Sequence, residues 1–257
     1  MTGEIRRLFH YPIKGLNAQP LDHVALAKGE GFPLDRAFGF ARPNSGFDPD
    51  NPRPLPKTRF VVLARDAGLA TLRTRYDQAL GTLTLKSAGK DASFDVEALD
   101  GRAAAAAFLV EHLGLEPDML PTLYSAAPHK FTDVSVVSPE MMNAVSLINL
   151  DSVAHFGEAI GADVAAARFR ANILFSGVPP MAELEWVGRE ITIGAARFKI
   201  VRRTKRCPAT QVNLETGMRD LDVPKLLRDQ FGHSDMGVYA EVLQGGRIAP
   251  GDVLRLV

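Results

Sequence analysis

Cysteine is almost missing from this sequence. The chain has one, Cys207, so an internal disulfide is excluded. An iron–sulfur cluster held by its thiolates alone is excluded too, because that takes about four. Charge of either sign is not in surplus: lysine plus arginine number 30 and aspartate plus glutamate 30, a formal net charge of zero. A nucleic-acid coat or a membrane-surface protein would carry a basic excess, so neither is expected. Long apolar runs are missing as well. The longest, Ala103 to Val110, falls far short of the roughly 20 residues that span a bilayer. The start, Met1-Thr-Gly-Glu-Ile-Arg-Arg, has basic residues with no apolar stretch behind them. No secretory signal is therefore expected, and the default location is cytoplasmic.

Several common site signatures are absent. The sequence contains no G-x-x-x-x-G-K-[ST], no G-x-G-x-x-G after a strand, no H-E-x-x-H and no G-x-S-x-G. Phosphate loops, dinucleotide folds, zinc-protease helices and nucleophile elbows lose their support accordingly. The six histidines are scattered without metal-ligand spacing.

What is present is ordinary globular material. Of 257 residues, 46% are hydrophobic and 23% charged, enough to bury a core in one large domain or two modest ones. Short β-type patches punctuated by Gly, Pro, Asn and Asp predict strands at Ile5–Tyr11, Val24–Leu26, Ala37–Ala41, Arg59–Ala64 and Leu80–Leu85. Five prolines between Arg42 and Pro56 predict a long loop. The alanine-rich stretch 101–113 predicts a helix stopped at Gly114, and the proline-bearing stretch 116–130 reads as a linker. A boundary near 125 follows, giving units 1–125 and 126–257.

In the second unit, strands are expected at Val134–Val137, Ala171–Phe175, Ile191–Ile193, Arg197–Val201, Tyr239–Val242 and Val253–Val257. Helices are expected at Ser152–Ile160, capped by Asp151, and at Val223–Phe231. Many short strands with few helices indicate a mixed α+β, β-rich fold: a barrel with helices packed outside.

One segment carries chemistry. Phe198-Lys-Ile-Val-Arg-Arg-Thr-Lys-Arg-Cys-Pro runs from a strand through four cations to Cys207. Cations beside a thiol favour its thiolate, the form that binds metals and attacks electrophiles. Pro208 lacks an N–H and should end the strand ladder there. The residue types fit a second account equally well, a small buried hydrophobe beside a solvated basic edge.

Read in order, Tyr11-Pro-Ile-Lys-Gly, Asp35-Arg36, Ser146-Leu-Ile-Asn-Leu, Arg168-Phe-Arg-Ala-Asn172, Arg206-Cys207, Asn213-Leu-Glu-Thr-Gly217 and Gly237-Val-Tyr-Ala-Glu with Gly251-Asp resemble the MOSC superfamily. More narrowly they resemble its members with an N-terminal MOSC-associated β-barrel, such as the mitochondrial amidoxime-reducing component. The resemblance implies an N-terminal β-barrel domain followed by a MOSC β-barrel with peripheral helices. It also implies a molybdenum cofactor (Mo-molybdopterin) with Cys207 as the protein's metal ligand and catalytic residue. Lys14, Arg36, Ser146, Asn149, Arg170, Asn172 and Arg206 would hold that cofactor. On residue type alone Lys14 and Arg36 would also suit surface ion pairs, worth about 0–1 kcal/mol.

The implied activity is reduction of small N-oxygenated substrates with electrons from a separate haem or iron–sulfur protein, docked near Arg202 to Arg206. A cofactor carrier or sulfur-transfer module is the alternative, and a thiol-based pyridoxal phosphate protein a weaker third. The chain departs from the pattern in two places. The usual Lys-Ser is Lys14-Gly15 here, and the proline-rich loop Pro43 to Pro56 replaces a shorter segment. Some bacterial relatives carry an iron–sulfur domain after the MOSC part, and none is expected after Val257.

Overall fold

The computed structural model describes residues 1–138 and 140–257. In chain order the first half contains β1 (Thr2–His10), β2 (Gln19–Leu21), β3 (Val24–Leu26), β4 (Phe38–Ala41), β5 (Arg73–Asp77), β6 (Thr82–Ser87), β7 (Lys90–Asp95), α1 (Leu99–Leu113) and β8 (Thr122–Ser125). The second half contains β9 (Val145–Asn149), α2 (Leu150–Ile160), β10 (Ile173–Ser176), β11 (Glu190–Ile193), β12 (Ala196–Lys205), α3 (Val223–Phe231), β13 (Asp235–Gln244), β14 (Gly246–Ile248) and β15 (Val253–Leu256). No helix among them is long and apolar enough to cross a membrane.

Seven strands close a barrel in the order β10-β9-β13-β12-β11-β15-β1, with β1 pairing back to β10. Closure leaves no exposed sheet edge within the ring. Inward-facing side chains alternate along each strand and fill the interior: Ile191 and Ile193, Phe198 and Ile200, Val238, Ala240 and Val242 are all buried there. Phe175 stacks on Trp186 at 5.8 Å between ring centres. α2 and α3 cover one outer flank, burying Val153, Phe156, Val223 and Leu227 in a separate cluster. The β-rich α+β barrel with outer helices is thus the fold the sequence predicts.

Residues 38–125 form two smaller sheets, the pair β4–β8 and the antiparallel β5-β6-β7, where the resemblance implies a second barrel. α1 packs on them through Ala105, Ala106 and Leu109. Because β1 is a stave of the ring otherwise built from residues after 145, a cut near 125 would remove it from the barrel it closes.

Four local expectations are corrected. Residues 59–64 meet β4 only through an isolated Phe60–Ala41 bridge and then turn at 63–65: Phe60 and Val62 point into an aromatic cluster while Val61 and Leu63 point into the α1 core. Their alternation serves two cores, not a sheet. Val134–Val137 is a turn, closed by the Val137 N–H on the Val134 carbonyl (3.0 Å), with Val136 and Val137 exposed at its tip. Asn149, not Asp151, caps α2, its Oδ1 accepting the Asp151 N–H at 3.1 Å. Asp151 instead accepts the Gly177 N–H (2.7 Å). The expected linker 116–130 contains β8, pinned to β4 by its buried Leu123.

Candidate functional site

Cys207 is placed by a strand whose regular alternation fails just before it. β12 slips register against β13 between Ile200 and Arg202 and again between Arg203 and Lys205. Such bulges re-aim side chains, and here consecutive residues Arg202 to Cys207 all reach the wall of one cavity of about 300 Å³. The strand ends at Lys205, and Cys207 adopts extended backbone ahead of a short 3-10 helix, Pro208–Gln211. Thr210 donates both its N–H (3.0 Å) and its hydroxyl (2.9 Å) to the Cys207 carbonyl. The buried Arg168 then holds that turn from behind, donating to the Thr210 and Gln211 carbonyls (3.4 and 3.3 Å) and to Asp220 (2.7 Å).

The same cavity collects cations from distant parts of the chain. Lys14, Arg36, Arg170 and Arg206, expected to act together, all line it. Tyr11 is the floor on which two of them rest: the Arg36 and Arg170 guanidiniums lie over its ring at 4.3 and 4.4 Å. Both arginines have left-handed backbone, with φ of 52° and 54°, a conformation uncommon outside glycine and concentrated at ligand clamps. Asp35 organises this floor by accepting the Tyr11 N–H (2.8 Å) and pairing with Arg36. Burial pushes the Tyr11 phenol up, so it remains protonated at neutral pH.

The cations differ in how they are satisfied. Lys14 is buried, donates to the Phe131 carbonyl (2.8 Å) and pairs with Asp133. Burial drives its pKa down against the pull of Asp133. Asp133 is open to the water of the cavity while surrounded by protein. That setting pushes its carboxyl up, but Lys14 and then Lys57 and Arg36 outweigh it and hold it below the usual range. Arg206 donates to the Met236 and Phe169 carbonyls (2.8 Å each) and lies over the Phe169 ring. Its pKa is pushed down by burial to about 10, which leaves it cationic at neutral pH. Arg170 stands apart. Among the described residues its guanidinium has no carboxylate and no hydrogen-bond acceptor, only the Tyr11 ring.

Ser146 and Asn172 also line the cavity, but they are occupied with each other. The Asn172 Oδ1 accepts from the Ser146 hydroxyl (2.8 Å) and N–H (3.1 Å), and its Nδ2 donates to the Phe9 carbonyl (3.2 Å). This lock ties β9 to β1 behind the cations. Asn149 is not in the cavity. It is fully buried at the start of α2, donating to the Val178 and Pro179 carbonyls (3.3 and 3.2 Å).

Lys57 is one of the cavity residues that sequence reading missed, with Asp133, Arg168 and Thr204. It follows the proline-rich loop, where neither period nor motif marks a functional position. Gly15 explains the departure from Lys-Ser: at φ +85° its added Cβ would meet the Val61 carbonyl at 2.9 Å, so the turn bearing Lys14 is pressed onto residues 61–62.

A chain of zero net charge thus lines one cavity with nine lysines and arginines against two aspartates. Two of the wall's donors, the Thr204 hydroxyl and the Arg168 Nε, are buried with no partner among the described residues. Unpaired buried donors mark a place where a ligand completes the hydrogen bonding. With a thiol at one end, the set suits an anionic group that also offers a metal to sulfur.

Comparison with known families decides the affiliation. The MOSC domain model matches residues 127–255. The chain belongs to the MOSC domain family. Cys207, Arg170 and Arg206 lie inside the match, whereas Lys14, Arg36 and Lys57 lie outside it. A stretch of 74 residues is 36% identical to the molybdenum cofactor sulfurase of Bos taurus, covering 28% of this chain and only 8% of that much longer protein. Among solved structures, the YuaD protein of Bacillus subtilis aligns over 99% of this chain and 94% of its own, at 12% identity and a TM-score of 0.45. YiiM of Geobacillus stearothermophilus aligns over 44% of this MOSC chain and 53% of its own, at 25% identity and a TM-score of 0.34.

Proposed function

We propose that this MOSC protein binds the molybdenum cofactor (Mo-molybdopterin) with Cys207 as the metal ligand, and that it is a cytosolic oxidoreductase for small N-oxygenated molecules. The observation that carries the reading is the unpaired Arg170 guanidinium, laid on Tyr11 beside Arg36 in the same cavity as the single thiol. A part-buried guanidinium with no acceptor among the described residues keeps its donors available, and an anionic ligand would engage them in charge-assisted hydrogen bonds.

In this reading Arg36 and Arg170 receive the cofactor's phosphate, and Lys14, set in the buried turn with Asp133, closes the anion site from the other side. Arg206, pinned by backbone carbonyls, supplies positive charge next to the Cys207 sulfur. The Thr204 hydroxyl and Arg168 Nε donate to the pterin edge. Ser146 and Asn172 hold the wall in register and touch the ligand less. When bound, the cofactor supplies two-electron redox chemistry of the oxygen-transfer type. The chain has no dinucleotide fingerprint and one cysteine, so electrons come from a separate haem or iron–sulfur donor.

The test is elemental analysis of the chain made in a host that synthesises the pterin cofactor. We expect about one molybdenum per wild-type chain and none in a folded Cys207→Ala variant, because losing a small side chain costs little stability beside losing a metal ligand. The loaded chain should reduce an N-hydroxylated compound with reduced viologen and not with NADH alone. Equal molybdenum in Cys207→Ala would reject the ligand assignment, and turnover with NADH alone would reveal a nucleotide site. The likeness to the bovine sulfurase supports a second reading, a cofactor carrier or sulfur-transfer module. It predicts bound cofactor, no viologen-driven turnover, and release of cofactor to an apo-enzyme.

A further inference from the structure

The proline-rich segment 42–56 has no regular structure, yet it is anchored at its middle and at its end. Phe47 is buried against Phe60, Tyr124 and Phe131, with ring centres 6.1, 5.1 and 5.0 Å away. Leu55 packs on the same cluster. Beyond it a short 3-10 turn, Lys57–Arg59, is closed by the Phe60 N–H on the Lys57 carbonyl (3.1 Å), and the Arg42 N–H donates to the Arg59 carbonyl (2.9 Å). The segment therefore works as a bracket that fixes one position, Lys57, on the wall of the Cys207 cavity.

The ammonium there is under-used. Lys14, Arg36 and Arg206 each have a close acid or backbone carbonyl, and Arg170 has the Tyr11 ring. Among the described residues Lys57 meets the Asp133 Oδ2 at 3.9 Å and the Cys207 thiol, and the other oxygen of that carboxylate is taken by Lys14. An ammonium carries three donors, so capacity remains. Its charged and polar neighbours are Cys207, Asp133 and Tyr239.

We propose that Lys57 forms an anion subsite at the Cys207 face of the cavity, selecting small substrates that present a negatively charged oxygen. The residue is distinct from those assigned to the cofactor, although it shares Asp133 with Lys14. Its link to the reacting oxygen of an N-oxygenated substrate rests on the function proposed above, while the subsite itself rests on the bracket and the remaining donor capacity of the ammonium.

Because the chain has a single cysteine, thiol chemistry reports on this face alone. The full chain, made in a host lacking the pterin cofactor, is alkylated with iodoacetate and with iodoacetamide, which are similar in size and differ in charge. Each rate ratio is normalised to the same chain unfolded in urea. The folded wild type should favour iodoacetate by about fivefold, the order expected for one nearby unit charge at intermediate dielectric. Lys57→Gln and Lys57→Met should lower the normalised ratio several-fold, to the level the other cavity cations set, Lys57→Arg should keep the wild-type preference, and Arg53→Gln, on the same loop outside the cavity, should keep it too. A wild type without preference would overturn the proposal. So would an undiminished preference in folded Lys57→Gln or Lys57→Met. Absence of molybdenum from chain made in a competent host would defeat the cofactor reading and leave this result untouched.

Discussion

A guanidinium that rests on an aromatic ring and meets no acceptor is poised for something the protein does not itself provide, and Arg170 is such a group. Arg170→Met would keep an apolar stem on Tyr11 and remove the charge. Charge-assisted hydrogen bonds contribute about 1.5–3 kcal/mol each, so cofactor retention should fall by roughly 10- to 100-fold. The cofactor-free chain should melt no lower than wild type, because a poorly compensated cation has been removed. Molybdenum content after dialysis and the melting temperature of the empty chain check the two halves. Glu183 is a second residue out of the ordinary. It is fully buried, its Oε2 accepts from the Ser152 hydroxyl (2.8 Å), and its Oε1 has no partner. Burial raises its pKa above the ordinary 4.5. A carboxyl raised on folding favours the folded state below that ordinary value and loses its contribution as pH climbs through the folded pKa. Urea unfolding of the wild type should therefore show a loss of stability as pH rises from about 4.5. In Glu183→Gln that component should vanish, with the variant gaining on wild type as pH increases.

Elements divide the site residues into those that touch a ligand and those that hold the frame. Asn149 belongs to the frame: Asn149→Ala should cost about 1 kcal/mol for the lost helix cap, and more for the two carbonyls left behind. Folded Asn149→Ala should nevertheless keep full molybdenum content, measured beside its urea midpoint. Gly237 shows how tightly β13 serves the site. At φ +74° its added Cβ would meet the Leu147 carbonyl at 2.4 Å and the Arg206 guanidinium at 3.3 Å, so only glycine lets β9 and Arg206 approach there. Much of this was legible in the sequence. α3 and β3 fall on their expected bounds, and the basic run before Cys207 marks the right turn. The basic run is not one solvated edge, however. Arg202 and Lys205 are exposed, Arg203 pairs with Glu185 and Arg206 is drawn inward, because two bulges that no residue pattern announces reset the strand. Residues 59–64 and 134–137 carry strand-like composition, yet the first meets β4 only at the Phe60–Ala41 bridge while its side chains serve two cores, and the second is a turn with an exposed tip. Lys57 was invisible because its importance comes from where Phe47 is anchored, a contact across 84 positions that leaves no local mark.

At the scale of the molecule, closure of the ring decides what can stand alone. β1 lies between β10 and β15, pairing Ile5 with Phe175 and Thr2 with Arg255. We expect residues 126–257 expressed alone to lack a cooperative thermal transition, because removing β1 bares two strand edges and the inward face it covers. Adding a synthetic peptide of residues 1–12 in trans should recover part of the transition, and a cooperative melt of the fragment by itself would show that the ring tolerates the gap. The same closure sets a timetable for synthesis. β1 can be completed only by β15, made about 250 residues later, and at about 5–20 residues per second that wait is on the order of 10–50 s. Throughout it Ile5 and Leu8, buried in the finished barrel, have no barrel to enter. The nascent chain must be shielded on the ribosome over that interval, so its yield should respond to holding chaperones and to growth temperature well before the folded protein's own melting point is reached.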